Sequence, residues 1–420
     1  MIELNINEIN KYGITEQPAK YNSEEELIRW LKYDLLQQAR KKYKEPNENN
    51  IITITDEEEK NYKIKIGNEN QKITIDFSIH FISFLNKIGI KSTEINYKIY
   101  ISNISVNTIH LDNGIFKNDF YFKNNHIKIS ISFKNTYFYE KAEFQFSSQY
   151  GINFYNASFY NELLISNIHF NGMSLNLSDI NINKNTKLIF NNIIIRTNSS
   201  IIIEKEFEEI DTLEFNNISL YGTIILNIKS TNISLTDMGL VGSFVLVNRY
   251  FKKIKNSETA RILKNDAYQK GNIIKALEYQ AEETRLHKEE LKEQFKENKN
   301  LKTFGDILSI ELSSLYSDNG QNWIRALGMT IFITAFCFIV FYIPDLTQSN
   351  IICLYYKNLF PELIKYFIPT DYTLLIKYAE SNLHLLLKIF GVLVYFLGKV
   401  LFWYGSVQTV TAFRKFAKGA

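Results

Sequence analysis

Three glycines and one lysine are the residues with the most chemistry to offer. Gly391, Gly398 and Gly405 stand seven apart in a run over 389–413 whose one charge is Lys399. Seven residues are close to two helical turns, so the glycines form one line along a helix. A line without side chains lets a second helix approach closely. An ionised lysine among apolar residues is costly unless it meets water or a partner. Tyr395, Ser406 and Thr409 fall on the same side of that helix. A polar stripe beside a glycine seam is what a water-lined oligomeric pore requires, and Lys399 in such a lumen would favour anions. The other course open to Lys399 is to snorkel towards the headgroups.

Elsewhere the chain offers little reactive chemistry. It has no phosphate-binding glycine loop, no CxxC or HExxH and no G-x-S-x-G elbow, and its six histidines are scattered. An enzyme is therefore not expected, and no catalytic, cofactor-binding or metal-binding residue is assigned. Glu283 and His287 stand at i,i+4 and could share a metal. No second His or Cys accompanies them, so a solvated charged face is the expectation.

Hydrophobic residues at 45% and charged ones at 22% exclude wholesale disorder. A net charge of +3, from 48 Lys+Arg against 45 Asp+Glu, gives neither a basic footprint for nucleic acid nor an acidic mimic of it. The two cysteines, Cys337 and Cys353, make no disulfide framework. The first 27 residues lack the basic and apolar regions of a secretory signal.

The elements that must position the lysine and glycines follow from patterning. Residues 1–50 read as an N-terminal helical cap: over 23–44, Leu27, Ile28, Trp30, Leu31, Leu35 and Leu36 fall at helical spacing behind Asn22 or Ser23 as N-cap. Residues 51–150 are β-rich, either the start of a solenoid or a separate β domain. In 151–250, ISNIHFNG at 165–172, FNNIIIRT at 190–197 and FNNISLYG at 215–222 align without gaps. Asn167, Asn192 and Asn217 are thus 25 apart twice over, which predicts a β-solenoid with stacked asparagines. An Asn-rich β-sandwich is the alternative. Residues 251–318 form a helical linker domain, two helices broken near Gly271.

Residues 319–420 read as a transmembrane hairpin with spans at about 323–343 and 386–410 and a basic tail. Pro344 should end the first helix. Trp323 and Arg325 anchor one edge, and Arg414 and Lys415 mark the exit of the second span. The basic residues, with the missing signal, predict that both termini are cytosolic. The fold class expected is a mainly β solenoid, parallel β-helix-like, followed by an α-helical hairpin and a two-helix transmembrane hairpin.

Several stretches occur in an order that resembles a known group. They are the five-residue spacing of Phe154, Phe159 and Leu164, the segment ARILKNDAYQKGNIIKALEYQAEE, the Asn322-Trp323-Ile324-Arg325 start of the first span, and QTVTAFRKF at 408–416. Over 150–420 the chain resembles bacterial pentapeptide-repeat-like membrane proteins, some of which end in a two-helix, ion-channel-type module. That resemblance implies a right-handed β-helix, although the A-[DN]-L-x-x text is mostly lost. It also implies an effector role in anti-phage settings. No TVGYG-type filter separates the spans, so selective potassium conduction is not implied.

The expectation is a bacterial inner-membrane protein, homo-oligomeric in the lipid bilayer. Its cytosolic solenoid senses or binds a protein partner, while its hairpins assemble into a pore or disrupt the membrane. The alternative is a membrane-tethered scaffold that conducts nothing. No nucleic-acid partner and no cofactor are expected.

Overall fold

Asparagine turns the corners of this chain. The computed structural model describes residues 2–11, 16–42, 51–54, 61–68, 70–88, 94–148, 152–247, 251–348, 352–368, 370–380 and 384–417. In it Asn103, Asn124, Asn167, Asn192 and Asn217 have φ of 52–55°, and Asp237 has 52°. Among residues with a Cβ, Asn and Asp tolerate this left-handed conformation best. At each corner the chain bends and the β pairing resumes on the next face.

The coils so formed stack in parallel and in register. Phe190 lies opposite Phe215 and Ile193 opposite Ile218, and the two phenylalanine rings stack at 4.6 Å. A second, narrow sheet joins Glu94–Ile95, Ile115–Phe116, Tyr137–Phe138, Ser158–Phe159 and Asn181–Ile182. Along it Phe116, Phe138 and Phe159 stack at 5.2 and 5.0 Å, close to the spacing between strands. The result is a β-solenoid of about seven turns over 94–254, consistent with a pentapeptide-repeat-like β-helix.

The repeat predicted at Asn167, Asn192 and Asn217 is present as a ladder. The Asn192 amide donates to the Asn167 Oδ1, and the Asn217 amide donates to Asn192 at 3.2 Å. A second ladder runs Asn181 to Asn156 to Asn135 to Asn113, at 3.0, 2.9 and 3.2 Å. Much of 51–150 belongs to the same stack: Lys63–Gly67 pairs with Lys98–Ser102, which pairs with Phe120–Ser132. There Asn103 and Asn124 are 21 apart rather than 25, so the 25-residue period does not reveal these coils.

At the N-terminal end, helices α1 (Ile6–Asn10), α2 (Glu24–Lys42) and α3 (Phe81–Ile88) accompany the strands. Helix α2 starts with a capping box: Ser23 Oγ accepts from Glu26 N–H, and Glu26 accepts from Asn22 N–H. It buries Leu27, Leu31, Leu35, Leu36 and Ala39. Its Gln38 amide bonds both the N–H and the C=O of Lys63, closing an edge that would otherwise invite pairing.

Two compact units divide the chain, Met1–Lys255 and Asn256–Ala420, where the sequence suggested five segments. The second unit is helical. Helices α4 (Ser257–Gln269) and α5 (Ile273–Glu297) are broken at Gly271, whose φ is +70°. They are followed by α6 (Leu301–Ser317), α7 (Trp323–Gln348), α8 (Ile352–Phe367), α9 (Thr373–Glu380) and α10 (Leu385–Ala417). Helix α7 does not stop at Pro344; it runs to Gln348. Proline withholds one N–H from the ladder, which a helix can absorb with a bend.

Two of these helices, over Trp323–Tyr342 and Leu385–Arg414, are long and apolar enough to cross a membrane. Only 33% and 22% of their apolar windows are buried within the chain. A core helix of a water-soluble protein would be covered on most sides, so these shares weigh against that role.

Candidate functional site

Helices α7 and α10 pack antiparallel, and the glycine line sets how closely. A Cβ on Gly405 would collide with Thr330 of α7 and the ring of Tyr316 of α6. One on Gly398 would collide with the Tyr366 hydroxyl and lie 2.9 Å from the Cys337 Cβ. One on Gly391 would collide with the ring of Tyr378. The seam is therefore used for close packing, as its spacing predicts, but these neighbours belong to the same chain. Trp323 meets Phe413 edge to face at 5.7 Å, which closes the opposite end of the pair.

Tyr366 and Tyr378 lie in the connection between the two long helices, which is itself helical. Helix α8 ends beside the middle of α10, the chain turns over 368–372, and α9 returns to the start of α10. The contacts fix this path: Tyr366 packs on Gly398, the Tyr395 hydroxyl donates to the Asp371 carbonyl, and the Tyr378 hydroxyl donates to the Leu387 carbonyl at 3.0 Å. Cys337, Phe338, Phe341, Tyr342, Tyr366, Leu374, Tyr378 and Tyr395 make one core cluster around it. Beyond a two-helix hairpin, then, the region contains an inserted helix pair.

Lys399 sits where that pair turns. It is 5% exposed, and its Nζ donates to the carbonyls of Tyr366 and Ile368, both at 2.7 Å. The rings of Tyr366 and Tyr395 lie 5.1 and 5.2 Å from the ammonium. The C-terminal carbonyls of a helix have no partners within it and carry its negative dipole end. Lys399 supplies the hydrogen bonds and the opposite charge to the end of α8. Within one chain it neither faces a lumen nor reaches towards headgroups.

The polar stripe read from the sequence divides accordingly. Tyr395 and Lys399 converge on the turn, whereas the Ser406 and Thr409 hydroxyls donate to the carbonyls of Phe402 and Gly405 in their own helix, at 2.8 and 2.9 Å. Gln408, read from the sequence only as the start of the 408–416 stretch, accepts from Ser317 at 2.8 Å. At the other edge, the Arg325 guanidinium donates to the Leu315 carbonyl at 3.2 Å, and Arg414 is exposed. The side chain of Lys415 lies outside the described residues.

Glu283 and His287 are not brought together. Glu283 takes Lys264 and Arg261 at 2.7 and 2.9 Å, and His287 turns to Glu290. Burial pushes the Glu283 carboxyl up, but hydrogen bonds from Lys264 and Arg261 outweigh it and hold the group below its ordinary value.

The turn itself carries exposed polar groups. Lys365, Thr370 and Thr373 are exposed and Asp371 is half-buried. The surrounding outer surface is apolar, with Phe360, Ile364, Ile368 and Ile376 at 69, 49, 44 and 56% exposure. Tyr366, Asp371 and Tyr378 were not singled out from the sequence, though Pro361 precedes the turn, Pro369 falls within it and helical apolar spacing runs on either side of it. Comparison with known proteins gives no matching family model, no matching curated protein and no matching solved structure.

Proposed function

We propose that this chain is a bacterial inner-membrane protein in which α7 and α10 cross the bilayer, α8 and α9 form a re-entrant pair, and copies assemble around the turn as a pore. The observation that carries the reading is the polar turn level with the middle of the apolar run. Lys399, which binds it, is 14 residues from Leu385 and 15 from Arg414. Non-helical backbone and ionisable groups at that depth require protein or water around them. Lys399 satisfies the carbonyls of Tyr366 and Ile368; Lys365 and Asp371 point to a watered lumen shared between copies. The pair returns to its own side, so two crossings leave both ends of the chain on the cytosolic face. The solenoid there offers a surface for a protein partner. The resemblance over 150–420 supports an effector role in anti-phage defence.

The scaffold reading draws on a different observation: Lys399 and the glycine line are fully engaged within one chain. Ion flux from liposomes containing the purified protein decides between them. The pore reading expects flux whose ion preference moves several-fold when Lys365→Glu or Asp371→Asn changes the charge at the turn. Intact liposomes would leave the scaffold, and flux indifferent to both substitutions would place the conducting path away from the turn.

A further inference from the structure

Helix α6 presents an apolar stripe that its own unit covers only in part, among the described residues by the Phe295 ring of α5 at 6.1 Å from Phe304. Leu301, Phe304, Leu308 and Leu315 are 86, 48, 48 and 44% exposed, and Leu312 lies between them. At 100° per residue these five positions fall within about 80° of one another, a narrow band along the helix. Lys302, Asp306 and Ser309 are displaced from the band, and Glu311 at its border is paired with Lys292 and Lys288 of α5 at 2.6 and 3.5 Å.

The position of α6 says what covers the band. Its last turn is fastened to the two long helices: the Tyr316 hydroxyl donates to the Leu401 carbonyl at 3.3 Å, and Ser317 bonds Gln408. Arg325, in the first turn of α7, donates to the Leu315 carbonyl. The band thus ends beside the Trp323–Arg325 edge, where the apolar surface of α7 begins with Ile324 and Leu327 at 66 and 44% exposure. The α6 stripe and the apolar start of α7 meet at the Leu315–Arg325 contact.

We infer that α6 is an interfacial helix, lying along the bilayer surface with this stripe sunk at the boundary of headgroups and acyl chains. The inference rests on the reading that α7 and α10 span the membrane. It adds a third lipid contact, which fixes the angle at which α4 and α5 leave the surface.

Spin-label accessibility tests it on the full chain in phosphatidylcholine/phosphatidylglycerol vesicles, in a Cys337→Ala, Cys353→Ser background. Nitroxides go on single cysteines replacing Phe304, Leu308 and Leu315, Lys302 and Asp306, and Phe332 and Leu397 as references on the spans. The expected result is several-fold greater relaxation by oxygen than by a water-soluble nickel chelate at 304, 308 and 315, with the reverse at 302 and 306. Water-like values at 304, 308 and 315 while 332 and 397 read as lipid would overturn the interfacial helix alone. Protection of the stripe from both reagents would overturn it in favour of a protein cover. Water-like values at 332 and 397 would overturn the membrane reading and the inference with it.

Discussion

At the scale of single residues, two side chains each bond two partners at once. Asn192 combines a left-handed φ of 53° with two ladder bonds, donating to Asn167 and accepting from Asn217. Asn192→Gly keeps the backbone and forfeits the ladder, which should cost about 1 kcal/mol. Asn192→Val forfeits both and adds a steric penalty of about 1–2 kcal/mol for a residue with a Cβ. Urea unfolding of the chain 1–255 should therefore rank wild type above Gly above Val; Val matching Gly would mean that the corner conformation is not what selects asparagine. Lys399 is the second case. In Lys399→Met the Tyr366 carbonyl loses its donor, at about 1–3 kcal/mol for a buried orphan, while the Ile368 carbonyl keeps the Asp371 N–H at 3.2 Å. That loss acts against the gain of about 2.5–3.5 kcal/mol from removing a charge from the apolar run. Loss and gain nearly cancel for Met, whereas Lys399→Glu removes the donor and sets an acceptor against both carbonyls, so the melting midpoint in detergent should move little for Met and fall for Glu. A midpoint unchanged in Glu would assign the ammonium no capping role.

At the scale of elements, the glycine seam and the α4–α5 pairing make separable predictions. Gly398→Leu drives a side chain into the space held by Tyr366 and Cys337. It should lever α8 off α10 before it affects any contact between copies. Cys337, now 7% exposed, should then react with maleimide much faster in a Cys353→Ser background; unchanged labelling would mean that the seam faces another chain. For α4 and α5, the Glu283 carboxyl is held low by Lys264 and Arg261 in the folded state. Its contribution to stability is fully present above the ordinary glutamate value, about pH 4.3. It is lost as pH falls through the lower folded value. Glu283→Gln should flatten the acid limb of the stability curve and leave it unchanged in slope near neutrality. How much of these elements was legible depended on the kind of regularity each carries. The ladder at Asn167, Asn192 and Asn217 was readable because one coil length repeats. The coils around Asn103 and Asn124 have another length, so the same chemistry escaped the period. Gly391, Gly398 and Gly405 announced a close-packed face by spacing alone. Spacing cannot say which helix fills it, and that depends on Tyr366 and Tyr378 arriving from a connection with too few apolar residues to read as a span.

At the scale of the whole molecule, the two units differ in how much apolar surface they leave exposed. The unit 1–255 closes its core on itself: Ile99, Phe120, Phe144, Ile165, Phe190 and Phe215 are all fully buried, and Gln38 occupies the Lys63 edge. The unit 256–420 keeps Phe332, Phe336, Leu393, Val400 and Val407 at 55–70% exposure, specifically 66, 59, 64, 63 and 58%. An apolar face of that extent aggregates in water and is content in acyl chains. Residues 1–255 expressed alone should therefore be soluble without detergent, give a β-type circular dichroism spectrum and unfold cooperatively, although stacked coils lose cooperativity more readily than a globular core. Residues 256–420 alone should be recovered only with detergent, as helix, with Cys337 still protected from maleimide. The pair of outcomes is needed. If 1–255 precipitates while the full chain in detergent is monodisperse, the solenoid depends on the helical unit and the two cannot act as a separate sensor and membrane element. If 256–420 stays soluble and monomeric without detergent, the exposed faces of α7 and α10 are covered by something other than lipid. A pore built on them would then have no membrane to cross.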